Sequence, residues 1–129
     1  MFYISGTLII IRNEEVPHPA TYCRGYIFLC NNDVLLEPDA ISQLRSALEA
    51  RGDMAAIAPI ITFYPETTLT WYAGGSLWGS MLVPRHPGKN KPVNTWAGVR
   101  NTEFISGCSL LLPRWALEEV GLLPEGCFL

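Results

Sequence analysis

Tyr26-Ile27-Phe28-Leu29-Cys30-Asn31-Asn32-Asp33-Val34-Leu35-Leu36-Glu37-Pro38-Asp39 sets the architecture to be expected of the whole chain. Its first five residues are apolar, with aromatic and β-branched side chains, and fit a buried strand. Asn31, Asn32 and Asp33 follow at the carboxyl end of that strand, and Pro38 then opens a helical pattern. Ile41, Leu44 and Leu48 recur at helical spacing with Ala40 and Ala47 beside them, while Arg45, Glu49 and Arg51 fall on the outer face. Gly52 stands where a C-cap glycine belongs, and Met54 to Ile61 reads as a second strand. Strand, helix and strand make a βαβ unit over residues 26–61, whose two strands are expected to be parallel with a right-handed crossover. In an open α/β sheet of that kind, ligands bind beyond the carboxyl ends of the strands, where Asn31 to Asp33 lie.

Upstream, the β-branched run Thr7 to Ile11 follows Ser5-Gly6 and fits a strand, although a turn of buried helix is an alternative over so few residues. Arg12 to Gly25 turns polar, with two prolines and a glycine, and reads as a loop or irregular helix. Downstream, Thr62 to Arg100 is rich in Gly, Pro, Trp and Asn and lacks a sustained period. Phe63, Tyr64, Trp71 and Tyr72 argue against disorder there, so an ordered loop with short strands is expected. Phe104 to Leu112 is a further strand candidate, interrupted at Ser106-Gly107, where backbone can approach a ligand closely. Pro113 then starts a second helix, Arg114 to Val120, closed by Gly121.

With 129 residues, 49% of them hydrophobic and 16% charged, the chain suits one domain with a real core. A net charge of −3 supplies no electrostatic footprint for nucleic acid, which is excluded as the expected partner. Cys23, Cys30, Cys108 and Cys127 form no Cys-x-x-Cys pair, so buried thiols are expected over a metal site or disulfide framework, in keeping with a reducing compartment. No run reaches the ~18 apolar residues of a membrane span, and the N-terminus lacks a signal-peptide layout. No transmembrane segment and a cytoplasmic setting are therefore expected, with peripheral membrane association left open.

An acidic residue with two amides beside it suits a hard cation, which takes oxygen ligands and can bridge to a diphosphate. The bland reading of Asn31-Asn32-Asp33 is an Asx turn, the commoner one for the tripeptide by itself. Trp71 and Tyr72 can stack on a sugar or fill a core, and the following Gly74-Gly75 allows close passage of a ligand. His86 can act as a base near neutral pH or be a solvated loop side chain. Arg85, Lys89, Lys91 and Arg100 can hold a phosphate or simply make a soluble face, and Glu118 and Glu119 read as exposed helix charges.

Four segments resemble family 2 glycosyltransferases, in the family's own order. They are Tyr26 to Ala40, with Asn-Asn-Asp as an Asp-x-Asp-type motif, Trp71-Tyr72-Ala73-Gly74-Gly75-Ser76, Arg85-His86-Pro87-Gly88, and Phe104 to Leu111 followed by Val120-Gly121-Leu122-Leu123. The rhamnosyltransferase-like members are the most similar. The resemblance implies an α/β fold, a partial GT-A (nucleotide-diphospho-sugar transferase, Rossmann-like) domain with a mostly parallel sheet and flanking helices. It divides the single partial domain 1–129 into a lead-in (1–25), a βαβ donor and metal unit (26–61), an acceptor-side loop region (62–103) and a strand with helix (104–129). It also implies an inverting transfer from a nucleotide-sugar donor to a glycan or lipid-linked acceptor, with Mg²⁺ or Mn²⁺, in polysaccharide biosynthesis. Carried over, Asn31, Asn32 and Asp33 meet the donor diphosphate, with Asp33 and Asn31 on the metal, and Ser106 and Gly107 lie near the sugar. Trp71, Gly74, Gly75 and His86 fall on the acceptor side. The family's first strand and its Glu-Asp pair have no counterpart in the chain, so the general base is expected beyond Leu129 and no detectable transfer is expected from residues 1–129 alone. The rival expectations are a non-catalytic truncated fragment that binds nucleotide weakly, and a nucleotidyltransferase of related fold. The latter usually begins with a glycine-rich phosphate loop that is not legible here.

Overall fold

The computed structural model describes residues 25–52 and 54–121 in full and residues 2–12 as backbone. The elements run β1 (Phe2–Arg12), β2 (Tyr26–Cys30), β3 (Val34–Leu36), α1 (Ala40–Arg51), β4 (Met54–Phe63), β5 (Thr70–Tyr72), β6 (Ser76–Trp78), β7 (Val83–Arg85), a 3₁₀ turn (Val93–Trp96), β8 (Arg100–Asn101), β9 (Ser109–Pro113) and α2 (Arg114–Val120). The main sheet has the order β2-β9-β4-β1-β3, with β5 added to β4 and β8 to β1. Strands β6 and β7 form a separate hairpin.

The sheet corrects the expected fold class. It is mostly antiparallel: β9 pairs antiparallel with both β2 and β4, and β4 pairs antiparallel with both β1 and β5. Among the described residues only the short pairings of β1 with β3 and with β8 are parallel. The α/β, Rossmann-like GT-A domain with a mostly parallel sheet is therefore not what the chain forms. Strands β2 and β4, expected to be parallel about α1, do point the same way, but they are separated by β9, which returns antiparallel between them. The physical source of the error is that a strand buried on both faces is a continuous apolar run whichever way its neighbours point. Strand β4 is such a run, buried along nearly its whole length, and its sequence carries no record of neighbour direction.

Local signals held better. Helix α1 begins at Ala40 after Asp39, two residues later than Pro38. The Gln43 N–H and the Ser42 hydroxyl both donate to the Asp39 carbonyl, at 2.9 Å and 2.7 Å, which ties the first turn. Gly52 ends the helix with φ 60°, donating its N–H to the Leu48 carbonyl at 3.3 Å. This is the left-handed cap that glycine adopts without steric cost. The buried stripe is Ala40, Leu44 and Leu48, whereas Ile41 is exposed, one position round the helix from Ala40. Leu44 and Leu48 close a core with Met54, Ile57 and Leu111, flanked by Phe28 and Ala47. A second core contains Ala40, Ile60, Ile61, Tyr72, Ala73 and Cys108, with Val34, Trp71, Val93, Trp96 and Phe104 packed against it.

The expected Thr7–Ile11 strand is part of the longer β1. Opposite β4 its register slips between Ser5 and Leu8, where Leu8 faces Pro59. Proline supplies no ladder donor, and a bulge accommodates the interruption. Residues 62–100 form short strands and turns, as expected. Buried Thr70 holds them together: its hydroxyl donates to the Gly88 carbonyl and lies 3.0 Å from that of Lys91, its N–H donates to the Lys91 carbonyl, and its carbonyl accepts from the Asn90 N–H. Helix α2 spans the expected residues and carries an exposed Arg114–Glu118 pair at 2.9 Å, worth little in stability.

Candidate functional site

Asn31, Asn32 and Asp33 form the exposed turn between β2 and β3, just past the carboxyl end of β2. Ser106 and Gly107 lie just before β9, which pairs with β2 through Cys30 and Ser109. That pairing lays the two turns side by side: the Asn31 N–H donates to the Cys108 carbonyl at 2.9 Å, and the Ser106 hydroxyl accepts from the Cys108 N–H at 3.2 Å. Two segments more than seventy residues apart in sequence, each a donor-side expectation, thus share one edge of the sheet. Gly107 is exposed, and a Cβ placed on it would touch nothing within 4 Å, so this backbone is open to an approaching group.

Of the thiols expected to be buried, Cys108 is, in the core with Tyr72, whereas Cys30 is exposed, and both flank this edge. Burial raises the Cys108 thiol to about 11, and the Asp33 carboxylate and then Cys30 push it the same way. Cys30 is also raised by burial, with the neighbouring Ser109 hydroxyl opposing and the Asp33 charge adding. Ser109 Oγ is itself fully buried and makes no hydrogen bond of ordinary geometry. Both thiols are free and remain protonated at neutral pH. The signal that could have found them is their position: Cys30 adjoins the Asn31 turn, and Cys108 follows Ser106-Gly107 directly.

The side chains of the turn decide what cation it can take. A hard cation is matched by oxygen ligands. Asp33 and the Asn31 and Asn32 side chains offer one carboxylate and two amides, all hard oxygen donors. Among the described residues no cluster of three or more His, Cys, Asp or Glu side chains forms a self-sufficient metal cage. A single carboxylate nevertheless fits Mg²⁺ or Mn²⁺ when substrate phosphate and water supply the remaining oxygens.

The acceptor-side residues gather in a second group. The His86 ring, on an exposed residue, meets Phe104 edge-on at 5.3 Å, Tyr72 at 5.6 Å and Trp71 at 6.4 Å between centroids. Tyr72 is fully buried, so it fills the core instead of offering a face to a sugar. Its hydroxyl donates to the Phe104 carbonyl at 2.6 Å. Burial raises the Tyr72 pKa, opposed by the Thr102 hydroxyl and the Ser106 backbone. Gly74 is buried with φ 88°, and a Cβ on Gly75 would overlap the Phe104 ring at 1.9 Å. Backbone conformation thus accounts for Gly74 and packing for Gly75. Thr102, a residue missed in the sequence, organises this corner by accepting from the Gly75 N–H at 2.7 Å, with its oxygen 2.8 Å from the Gly75 carbonyl and 2.9 Å from that of Phe104. A lone polar residue in an aperiodic loop carries no sequence signal. The two groups are contiguous, because Phe104 to Cys108 leads from the His86 cluster to the Asn31 turn, and Cys108 shares a core with Tyr72.

The arrangement is an exposed turn site, not a deep cavity. A cleft of about 650 Å³ lies at the opposite end of β2, lined in part by Gly25, Tyr26, Arg114 and Leu117, and none of the expected site residues lines it. The protonation of the two thiols gives a direct check. In a Cys23→Ser/Cys127→Ser background at pH 8, exposed Cys30 is expected to react with a thiol reagent at least about tenfold faster than buried Cys108. Stopped-flow labelling with mass mapping reads the two rates, and equal rates would contradict the burial assigned to Cys108. Comparison with protein-family models, with curated proteins and with solved structures finds no match for this chain.

Proposed function

We propose that the chain is a glycosyltransferase-type unit that holds the diphosphate of a nucleotide-sugar donor at the Asn31–Asp33 turn, with a glycan or lipid-linked molecule as acceptor. The observation that supports this most is the junction of that turn with Ser106–Cys108 through the Asn31 N–H and the Cys108 carbonyl, 2.9 Å apart. Asp33 supplies the negative charge on the protein side, the Asn31 and Asn32 amides orient phosphate oxygens, and the open backbone at Gly107 leaves room for the sugar. Asp33 and Asn31 would hold a Mg²⁺ or Mn²⁺, which would supply compensation for the charge on the diphosphate leaving group. The Cys30 and Cys108 thiols bring no charge that would repel phosphate, because both keep their protons at neutral pH.

A second reading, nucleotide binding without transfer, is favoured by the acceptor side, where Tyr72 and Gly75 are occupied in packing. Thermal melting with Mn²⁺ alone, with a nucleoside diphosphate alone and with both tests the shared part of the two. Stabilisation is expected only with both present, and no shift with any nucleoside diphosphate would refute donor binding. Incubation with a panel of nucleotide sugars and acceptor glycans then separates transfer from binding alone.

A further inference from the structure

The hairpin of β6 and β7 presents a feature that the donor site does not use. Its register pairs Trp78 with Val83, Leu77 with Pro84 and Ser76 with Arg85. Directly opposed residues share a face, so Trp78, Val83 and Arg85 lie on one side of the ribbon. The Arg85 guanidinium stands 4.3 Å over the Trp78 ring, as that register allows. Gly79 to Leu82 close the tip, with the Leu82 N–H donating to the Gly79 carbonyl at 3.1 Å. The tip is apolar and open: Met81 is 82% exposed, Leu82 63% and Trp78 58%. Leu82 also has φ 51°, a left-handed conformation that a leucine adopts at a cost.

We infer that this tip inserts into the surface of a membrane containing anionic lipid. Two observations choose that occupant. First, residues 67–102 carry exposed Arg85, Lys89 and Lys91, a half-buried Arg100 over the Trp96 ring, and no acidic side chain, although the chain as a whole has a net charge of −3. Glu103, at the end of that segment, is turned to the hairpin root, where its carboxylate accepts from the Leu77 N–H at 2.5 Å. An apolar, tryptophan-bearing tip with Arg85 on the same ribbon and exposed lysines following in sequence complements a headgroup layer over hydrocarbon, since indole prefers the interface and lysine or arginine is drawn to anionic headgroups. Second, Pro84 removes a backbone donor from β7 and discourages a partner strand from adding there. The inference does not rest on the donor site and holds with or without it.

Flotation of the full chain with vesicles of phosphatidylcholine, alone or mixed with phosphatidylglycerol, tests it, alongside Trp78 emission read as the difference between the parent and Trp78→Phe. Binding is expected on the mixed vesicles only, with a blue shift that Trp78→Phe abolishes. Met81→Ser/Leu82→Asn keeps a residue tolerant of positive φ at position 82 and is expected to lower binding about tenfold or more. Lys89→Gln is expected to lower it about fivefold on mixed vesicles alone. Melting temperatures of the variants show that each still folds. Unchanged binding by Met81→Ser/Leu82→Asn would overturn the inference, as would equal binding to both vesicle types. So would a tip-dependent self-association seen by size exclusion in the absence of vesicle binding.

Discussion

Ile57→Ala is expected to cost about 2–5 kcal/mol of unfolding free energy, a large part of the roughly 5–15 kcal/mol available to a domain of this size. Ile57 is 0% exposed and stands at the crossing of the fold. Its backbone pairs with Ile10 of β1 on one side and with Leu111 of β9 on the other, and its side chain packs in the core of Leu44, Leu48, Met54 and Leu111. Removing the branched side chain there leaves a void bounded by a sheet strand and a helix, neither of which can collapse freely to fill it. Urea denaturation followed by far-ultraviolet circular dichroism measures the loss. Ile41→Ala is the control: Ile41 is exposed on α1 and its truncation should stay within about 0.5 kcal/mol. Comparable losses at the two positions would contradict the helix orientation.

That contrast also shows how far the sequence could be read. Ile41 and Leu44 fit the same helical repeat, and only the position of β4 beneath α1 decides which of them is buried. The cap at Gly52, the apolar run of β4 and the limits of α2 are local properties, fixed by φ preferences and by strand or helix period, and they were legible. Strand direction was not. Ser109 to Pro113 lies between β2 and β4 because of long-range pairing, which leaves no periodic mark on any one segment. At the site, the Asn31–Asp33 turn was visible because three amide or acid side chains interrupt an apolar run. The roles of Thr102 and Cys108 were not, since each depends on a neighbour distant in sequence.

Asp33→Ala is expected to abolish the joint stabilisation by Mn²⁺ and a nucleoside diphosphate. At ligand about a hundredfold above its dissociation constant the parent gains ~2.7 kcal/mol, about 10 °C in melting temperature for a chain of this length, and the variant should gain none. Asp33 is exposed in a turn, and no described hydrogen bond or ion pair of its side chain would be lost with it, so the unliganded variant should melt close to the parent. Asp39→Asn, at the start of α1 and also exposed, should retain the full shift. A variant that loses its fold along with its shift would count against a purely ligand-binding role for Asp33.

Manganese-induced broadening of assigned backbone amide resonances tests the central claim most directly, because it locates the ion without requiring turnover. With substoichiometric Mn²⁺ and a nucleoside diphosphate, the amides of Asn31 to Asp33 and of Gly107 and Cys108 should broaden most, and those of α2, at the opposite end of β2 and β9, should broaden least. The pattern should vanish in Asp33→Ala. Broadening centred away from the Asn31 turn, or unchanged in that variant, would contradict the donor site.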